Sequence, residues 1–206
     1  MNQTQIKVAL ITGGGTGIGR SAAIALQNDN FNVIICGRRK EQLEETASIG
    51  ATDKPKIRAM VADVTDGSSV NSVFAEIENN YGRLDVLFNN AGMGAPRVEL
   101  DELSEEAWRQ CVDVNLTGSF LCAQAAFKIM KSQSPQGGRI INNGSISAFS
   151  PRPGATAYTT SKHAITGLTK SISLDGRNDK ILCSQIDIGN AETPMTERMK
   201  EGVPQA

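Results

Sequence analysis

Tyr158 and Lys162 are the residues whose types and spacing most clearly suggest chemistry. They lie four positions apart in Ala-Tyr-Thr-Thr-Ser-Lys-His-Ala, within a stretch of helical periodicity. Side chains four apart share one helix face, so an ammonium would lie beside a phenol. An unperturbed tyrosine has a pKa of about 10, and a fixed cation nearby lowers that pKa. We therefore predict a tyrosine that exchanges a proton with an alcohol or carbonyl, with Ser145 hydrogen-bonding the same oxygen.

A glycine-rich turn follows the first predicted strand. Lys7 to Thr12 is a short apolar run, the turn Gly-Gly-Gly-Thr-Gly-Ile-Gly comes next, and apolar residues then recur at helical spacing. Strand, turn and helix in this order are the context that a dinucleotide-binding turn requires. The glycines let the backbone approach a pyrophosphate, and the helix N-terminus supplies amide donors. A tight connection without a ligand is the alternative interpretation.

The second predicted strand, Asn32 to Cys36, ends in Gly-Arg-Arg-Lys. An acidic residue here would bind a ribose 2′-hydroxyl, and this chain has none. Three cations at a helix N-terminus are opposed by its dipole, and a 2′-phosphate would balance them. We therefore expect NADP(H) to be preferred over NAD(H), with a solvated basic turn as the alternative.

The remaining apolar runs complete an alternating pattern of six strands and five helices. The later strands are predicted at Lys56 to Val61, Asp85 to Phe88, Gly138 to Asn143 and Ile181 to Ile186. This alternation predicts an α/β fold with a doubly wound, mostly parallel sheet in a single domain. Ligands bind beyond the carboxyl ends of such strands, so Asp63 and Asn89 are expected to point toward the cofactor. Asn89 and Asn90 could also hold down a loop.

Composition excludes several classes of function. The net charge of −1 gives no electrostatic case for nucleic acid or an anionic membrane surface. No apolar run approaches the roughly 18 residues that cross a bilayer, and the N-terminus lacks an apolar leader. Four scattered cysteines are expected to be reduced, which favours the cytoplasm. A single histidine argues against a Ser-His-Asp triad or a histidine-rich metal site.

Asn115 interrupts the apolar face of a helix predicted to begin at Ser104. Asparagine is a mediocre helix former and is costly to bury without a partner. A surface position would explain it. The alternative is a local break in the helix that frees a backbone carbonyl for a bound water.

Taken together, these motifs resemble the short-chain dehydrogenase/reductase family along nearly the whole chain. Thr-Gly-x-x-x-Gly-x-Gly begins at Thr12, and Asn-Asn-Ala-Gly begins at Asn89. The family's catalytic positions match Asn115, Ser145, Tyr158 and Lys162. The resemblance implies a Rossmann-type sheet in the order 3-2-1-4-5-6. The expected cofactor-binding residues are Gly13, Gly15, Thr16, Gly17, Ile18, Gly19, Arg38, Arg39, Asp63, Val64, Asn89, Ala91, Gly92, Tyr158, Lys162, Gly189 and Thr193.

The same resemblance implies specific roles in catalysis. Tyr158 would be the acid in carbonyl reduction and the base in alcohol oxidation, and Ser145 would hold the substrate oxygen. Lys162 would bind the nicotinamide ribose and lower the pKa of Tyr158. Asn115 would hold a water in a proton relay that reaches Lys162. Ser147 competes for the serine role, but its spacing to Tyr158 is two residues short.

The sequence departs from the family pattern in two places. Ile188-Gly189 replaces the usual Pro-Gly after the sixth strand, and the chain lacks about forty residues that include a seventh strand. We expect either a truncated chain or a protein without that sheet edge. The substrate pocket is expected to be fairly apolar. Its expected lining residues are Met93, Ala95, Pro96, Phe149 and Pro151.

The function expected from the resemblance is an NADPH-dependent carbonyl reductase or alcohol dehydrogenase acting on a small molecule. A non-catalytic NADP(H) sensor or scaffold is one alternative, and an isomerase or dehydratase using the same site is another. The helices that carry Asn115 and Tyr158 have small residues on faces that the sheet does not need. Such helices pair between subunits in the family, so a homodimer or homotetramer is expected.

Overall fold

Helices and strands alternate along the chain in the computed structural model, which describes residues 6–194. The six strands are β1 Val8–Thr12, β2 Asn32–Gly37, β3 Arg58–Val61, β4 Val86–Asn89, β5 Gly138–Asn143 and β6 Ile181–Ile186. The six α-helices are α1 Gly17–Asn28, α2 Lys40–Ile49, α3 Gly67–Tyr81, α4 Glu105–Val112, α5 Gly118–Ser132 and α6 Thr156–Asp175. The predicted alternation is therefore confirmed, and the helix predicted from Ser104 is divided into α4 and α5.

The strands form one parallel sheet in the order β3-β2-β1-β4-β5-β6. Ile11 of β1 pairs with Ile35 of β2 on one side and with Phe88 of β4 on the other. Every residue of β1 is buried, as expected of a central strand covered on both faces. The predicted doubly wound fold and strand order are confirmed for the part of the chain that the structure describes.

Two apolar clusters cover the two faces of the sheet. One includes Leu10, Phe74 and Met130, and it packs α3 and α5 against the strands. The other includes Ile11, Ile35 and Leu43, and it packs α1 and α2 against the opposite face. Because all the paired strands are parallel, their carboxyl ends meet at one edge of the sheet. The chain reverses direction across the sheet between β1 and β4, which opens a crevice at that edge.

Side-chain caps fix the starts of α3 and α4. The Asp66 carboxylate accepts a hydrogen bond from the Ser68 amide at the start of α3, and Gly82 ends α3 with a φ of 66°. The Ser104 hydroxyl accepts a hydrogen bond from the Ala107 amide at the start of α4. Both caps satisfy amides that a helix cannot pair internally.

Candidate active site

The glycine-rich turn lies at the carboxyl end of β1 and runs into α1. Gly13 and Gly17 have φ values of 66° and 53°, a backbone region that glycine adopts without strain. The Gly13 amide donates to the Cys36 carbonyl at 2.8 Å, which ties the turn to β2. No side chain caps the N-terminus of α1, and Thr16, Gly17 and Ile18 all line the adjoining cavity. The amides at this terminus are therefore available to an anionic ligand.

Gly19 has a packing role rather than a place on the cavity wall. It does not line the cavity, and a Cβ at this position would overlap the Gly13 carbonyl oxygen and lie 2.5 Å from the Asn90 side-chain nitrogen. Gly15 also has a packing role, because its carbonyl accepts hydrogen bonds from the Arg20 guanidinium and from the Thr46 hydroxyl. These contacts hold the turn against α1 and α2.

Thr12 and Asn90 join the glycine-rich turn to the loop after β4. The Thr12 hydroxyl oxygen accepts from the amides of Asn90 and Ala91 at 3.0 and 2.9 Å. The Asn90 side chain donates to the Thr12 carbonyl at 3.0 Å and accepts from the Asn143 side chain at 3.0 Å. This network fixes the base of the cavity, which Ala91 and Gly92 also line.

Asn89 lies elsewhere than its expected place on the cofactor side of the crevice. Its side chain is buried in the sheet, where it donates to the Ser119 carbonyl and to the Asn142 side chain. It lines neither cavity at this edge, whereas Asn90 lines the larger one. Side chains alternate between the faces of a strand, so the last residue of β4 points into the layer under α5.

A smaller cavity of about 140 Å³ lies between the ends of β1, β2 and β3. Its lining includes Arg38, Arg39, Asp63, Val64 and Gly15. Both arginines are exposed, and neither forms an ion pair with any described residue. One Asp63 carboxylate oxygen accepts from the Thr65 amide and hydroxyl. Two cations without an ion-pair partner among the described residues therefore line the same cavity as the glycine-rich turn.

Tyr158, Lys162 and Ser145 meet at one wall of the larger cavity, which has a volume of about 520 Å³. The Lys162 ammonium nitrogen lies 5.6 Å from the centre of the Tyr158 ring and donates to the Asn143 carbonyl at 2.6 Å. The Ser145 side chain hydrogen-bonds the Tyr158 phenol. The Ser145 amide is held by the Asp187 carboxylate at 3.0 Å. Ser147 also lines this wall, and its amide donates to the Ser145 hydroxyl oxygen at 3.1 Å.

The expected lowering of the Tyr158 pKa is not found in this structure. Burial raises the pKa of Tyr158 above its usual 10.0, although the hydrogen bond from Ser145 and the charge of Arg152 oppose that rise. Burial also lowers the pKa of Lys162 from 10.5 to about 8, with Cys111 and Asp187 opposing the shift. Desolvation disfavours the charged form of each group and outweighs the opposing contributions to both pKa values. At neutral pH the pair is therefore a phenol beside an ammonium.

Asn115 lies behind the cavity wall and does not line it. A π-helical turn at Asp113–Thr117 separates α4 from α5, so the predicted break in the helix is present. The Asn115 side chain accepts from the Met93 amide at 2.8 Å and donates to the Ser161 hydroxyl at 3.0 Å. Its backbone carbonyl accepts from the Ser119 hydroxyl at 2.8 Å. Asn115 thus fastens the loop after β4 to α6.

The mouth of the cavity is less apolar than the sequence predicts. Met93 and Ala95 line it, but Pro96, Phe149 and Pro151 do not, and Phe149 is 69% exposed. The segment after β6 contributes Ile188, Gly189 and Thr193. Two arginines, Arg97 and Arg152, also line the cavity.

Comparison with known proteins identifies the family. The model of the short-chain dehydrogenases matches residues 7–204. This chain belongs to the short-chain dehydrogenase family.

Similar proteins in this family act on alcohol or carbonyl groups. The chain is 36% identical to a 3beta-hydroxysteroid dehydrogenase of Mediterraneibacter gnavus, over 96% of the chain and 71% of that relative. It is 34% identical to a 3-oxoacyl-[acyl-carrier-protein] reductase of Thermotoga maritima, over 95% of the chain and 78% of that relative. A Brucella melitensis 3-ketoacyl-(acyl-carrier-protein) reductase, solved with NADH, superposes with a TM-score of 0.86 at 29% identity. That match covers 92% of the chain and 77% of the solved structure.

The crevice fits the nicotinamide dinucleotide that short-chain dehydrogenases bind. A Cβ at Gly13 would lie 3.0 Å from the Ala91 Cα, and a Cβ at Gly19 would overlap the turn. Because glycine has no Cβ at either position, a ligand can approach the backbone of the turn closely. Gln42 lines the smaller cavity, and its side-chain oxygen is buried without a hydrogen-bond partner. A ligand donor at this point would satisfy that acceptor.

Two other kinds of site find no support between residues 6 and 194. No cluster of three or more histidine, cysteine, aspartate or glutamate side chains there is arranged to hold a metal ion. No helix in the same range is long and apolar enough to cross a membrane.

The predicted site omits several residues of the crevice, among them Gln42, Arg97, Arg152 and Asn90, which was expected only to hold down a loop. Asn90 was visible beside Asn89, and the alternation of side chains along β4 could have separated their roles. Gln42 lies in a polar helix and carries no signal of its own. Arg97 and Arg152 lie in irregular loops, where no periodicity reports which side chains face a cavity.

Proposed function

We propose that this short-chain dehydrogenase is an NADP(H)-dependent carbonyl reductase or alcohol dehydrogenase in which Tyr158 moves the proton. The observation that carries the proposal is the meeting of Tyr158, Ser145 and Lys162 at the wall of a cavity whose floor is the glycine-rich turn. When bound there, the nicotinamide cofactor supplies the hydride to a carbonyl carbon or accepts it from an alcohol.

The protonation states of the pair suit carbonyl reduction. Burial raises the pKa of Tyr158, so the phenol carries its proton at neutral pH and can give it to a carbonyl oxygen. Ser145, which hydrogen-bonds the phenol, would orient the same oxygen. The Lys162 ammonium, with a pKa of about 8, would stabilise the phenolate that remains. In alcohol oxidation the phenolate would take the proton back.

Asn115 would support Tyr158 and Lys162 from outside the cavity. It links the Met93 backbone to Ser161, whose hydroxyl donates to the Tyr158 carbonyl at 2.8 Å. We propose that Asn115 positions α6 and supports a water in a relay that reaches Lys162. Ser145 is assigned the substrate oxygen rather than Ser147, because the Ser145 hydroxyl contacts the phenol.

NADP(H) is the cofactor that we favour. Arg38 and Arg39 line the smaller cavity, where neither forms an ion pair with Asp63 or another described acid, and a guanidinium fork suits a 2′-phosphate. The relative solved with NADH makes NAD(H) the competing assignment. The remaining contacts would come from the turn at Gly13–Gly19, from Asp63 and Val64, and from Gly189 and Thr193.

Cofactor titrations test this preference. Removing the arginine charge with Arg38→Gln or Arg39→Gln should weaken NADPH binding about tenfold and leave NADH binding unchanged. Arg109→Gln is the matched control, because Arg109 pairs with Glu105 on the exposed face of α4. Equal affinity of the unmodified protein for NADPH and NADH would refute the preference.

A turnover screen separates the proposed activity from its alternatives. The whole protein would be incubated with NADPH or NADH and a panel of ketones and aldehydes, and loss of reduced cofactor and formation of alcohol would both be followed. Matched loss of cofactor and gain of alcohol is the expected result. Tight cofactor binding without turnover would favour a sensor or scaffold. Product without net cofactor loss would favour an isomerase or dehydratase.

Three further features belong to the same proposal. We place residues 1–206 in one dinucleotide-binding domain, since both apolar clusters pack on one sheet. We also propose a cytoplasmic homodimer or homotetramer that pairs through α5 and α6, where Phe120 is 44% exposed. Sedimentation that shows only monomer at micromolar protein would count against the assembly.

A further inference from the structure

The charged side chains that line the larger cavity are all cationic. Arg39, Arg97, Arg152 and Lys162 belong to its wall, and no aspartate or glutamate of the described chain does. The protein as a whole has a net charge of −1, so this excess is local. A cleft lined by one sign of charge focuses the electric field and raises the local concentration of ions of the opposite sign.

Two of these cations, Arg97 and Arg152, were given no role in the function proposed above, whereas the other two were. Arg39 lies beside the glycine-rich turn and also lines the smaller cavity, where cofactor phosphates would balance it. Lys162 lies against the Tyr158 ring. Arg97 lies in the loop that follows β4, and Arg152 lies in the loop that follows β5 and leads into the helix of Tyr158.

The two loops that carry these arginines touch each other. A Cβ at Gly154 would lie 3.2 Å from the Val98 amide nitrogen and 3.3 Å from the Arg97 carbonyl carbon. Gly154 has a φ of 66°, which glycine tolerates, so the backbones can approach closely here. The contact brings the segments of Arg97 and Arg152 together at one rim of the cavity.

Both guanidinium groups keep donors available. Arg152 is half-buried, and one of its terminal nitrogens donates to the Asn190 side chain at 3.2 Å. A guanidinium has five N–H donors, so one such bond leaves most of them open. Arg97 is exposed and forms no hydrogen bond or ion pair with residues 6–194. Arg152 is also close enough for its charge to favour the Tyr158 phenolate.

We propose that the substrate is a ketone, or the corresponding alcohol, that carries a carboxylate or phosphate group, and that Arg97 and Arg152 bind this anion. The inference rests on the function proposed above, because Tyr158 marks where the reacting oxygen lies. Met93 and Ala95 line the same cavity and precede Arg97 in the same loop, and they suit a short apolar segment between the carbonyl and the anion. Planar guanidinium groups bind such anions through paired, charge-assisted hydrogen bonds.

Matched pairs of substrates test the proposal. The ω-1 oxo acids from 4-oxopentanoate to 8-oxononanoate would each be compared with their methyl esters, which keep the carbonyl and lose the charge. A methyl ketone bearing a phosphate monoester, 5-oxohexyl phosphate, tests the second anion. We expect kcat/KM for the best acid or phosphate to exceed that of its neutral counterpart about tenfold or more, and the ratio to fall with added salt.

Charge-removing variants locate the preference. Arg97→Gln should lower kcat/KM for the anionic substrate about tenfold while the ester keeps its rate. Because the Arg152 charge also reaches Tyr158, the readout for Arg152→Gln is the ratio of kcat/KM for the acid to that for the ester, which should fall about tenfold. Activity on the ester reports in the same protein that the fold and the reacting groups are intact. Arg109→Gln is the control for a general change of charge. Equal use of acid and ester, or an equal loss on both in the variants, would overturn the proposal.

A binding arm separates this inference from the proposed function. Calorimetric titration of 6-oxoheptanoate and its methyl ester into the protein with NADP⁺ needs no turnover. Tighter binding of the acid that Arg152→Gln abolishes would support the anion site even where no ketone is reduced. Turnover of ketones without any preference for the anion would leave the proposed function standing and refute this inference.

Discussion

Gly19→Ala is a sharp test of how the glycine-rich turn serves the cofactor. Gly19 lies in the first turn of α1, where alanine is the better helix former by about 1 kcal/mol. Its Cβ would nevertheless overlap the Gly13 carbonyl oxygen and lie 2.5 Å from the Asn90 side-chain nitrogen. Overpacking of this kind costs about 1–3 kcal/mol. The hydrogen bond from Asn90 to Gly13, now 3.3 Å long, would also be broken, which costs about 1 kcal/mol.

The net effect should fall on both stability and cofactor affinity. The gain in helix propensity offsets part of the loss, and we expect unfolding to become easier by about 1–3 kcal/mol. Because Gly13 belongs to the cavity wall, its displacement should raise the Kd for NADPH about ten- to hundredfold. Urea titration and calorimetric titration with NADPH measure the two effects.

Gly67→Ala is the matched control for this substitution. Gly67 begins α3, and a Cβ there would meet no atom within 4 Å. Alanine should therefore leave NADPH affinity unchanged and stabilise the protein by up to about 1 kcal/mol. If Gly19→Ala were as stable as Gly67→Ala and bound NADPH like the unmodified protein, the argument from close packing would be refuted.

Two further predictions concern stability. The pKa of Lys162 falls from 10.5 to about 8 on folding, so the cost of burying its charge is present below pH 8 and disappears as the pH rises toward 10.5. The unfolding free energy of the unmodified protein relative to Lys162→Met should thus rise by roughly 3 kcal/mol across that range. Urea titrations at several pH values measure this difference, and a difference that does not vary with pH would contradict the prediction. Thr12→Val should lower the unfolding free energy by about 2 kcal/mol, because the partly buried amides of Asn90 and Ala91 both lose their acceptor. Thr12→Ser keeps that oxygen and should cost about 1 kcal/mol or less, so equal stability of the two variants in urea would refute the role of the hydroxyl.

The fold could be predicted because buried parallel strands have a strong local signal. The predicted bounds of β5 and β6 agree with the structure, and β1 begins one residue later than its apolar run. β3 begins two residues later, at Arg58, because Lys56 and Ile57 form no pairs with β2. The sequence predicted one helix from Ser104 and left a local break at Asn115 as one of two interpretations. Its division at the π-helical turn around Asn115 follows from side-chain contacts with Met93 and Ser161, which come from distant segments.

The candidate site could be predicted only where spacing reports geometry. A spacing of four residues puts Tyr158 and Lys162 on one face of a helix, and in the structure the Lys162 ammonium lies over the Tyr158 ring. Their pKa shifts could not be predicted, because both depend on how deeply the pair is buried under loops. The apolar pocket was a wrong expectation in part: Phe149 faces solvent, and Arg97 and Arg152 line the cavity instead.

Transfer of a proton by Tyr158 is the central claim, and substitution of the two tyrosines of this chain tests it most directly. Tyr158→Phe removes the hydroxyl at the cavity, whereas Tyr81→Phe removes one on α3, outside both cavities. On a ketone that the unmodified protein reduces, Tyr158→Phe should lower kcat about a hundredfold or more with NADPH binding unchanged, and Tyr81→Phe should keep its kcat. A Tyr158→Phe protein that binds NADPH and reduces the ketone at the unmodified rate would contradict the claim.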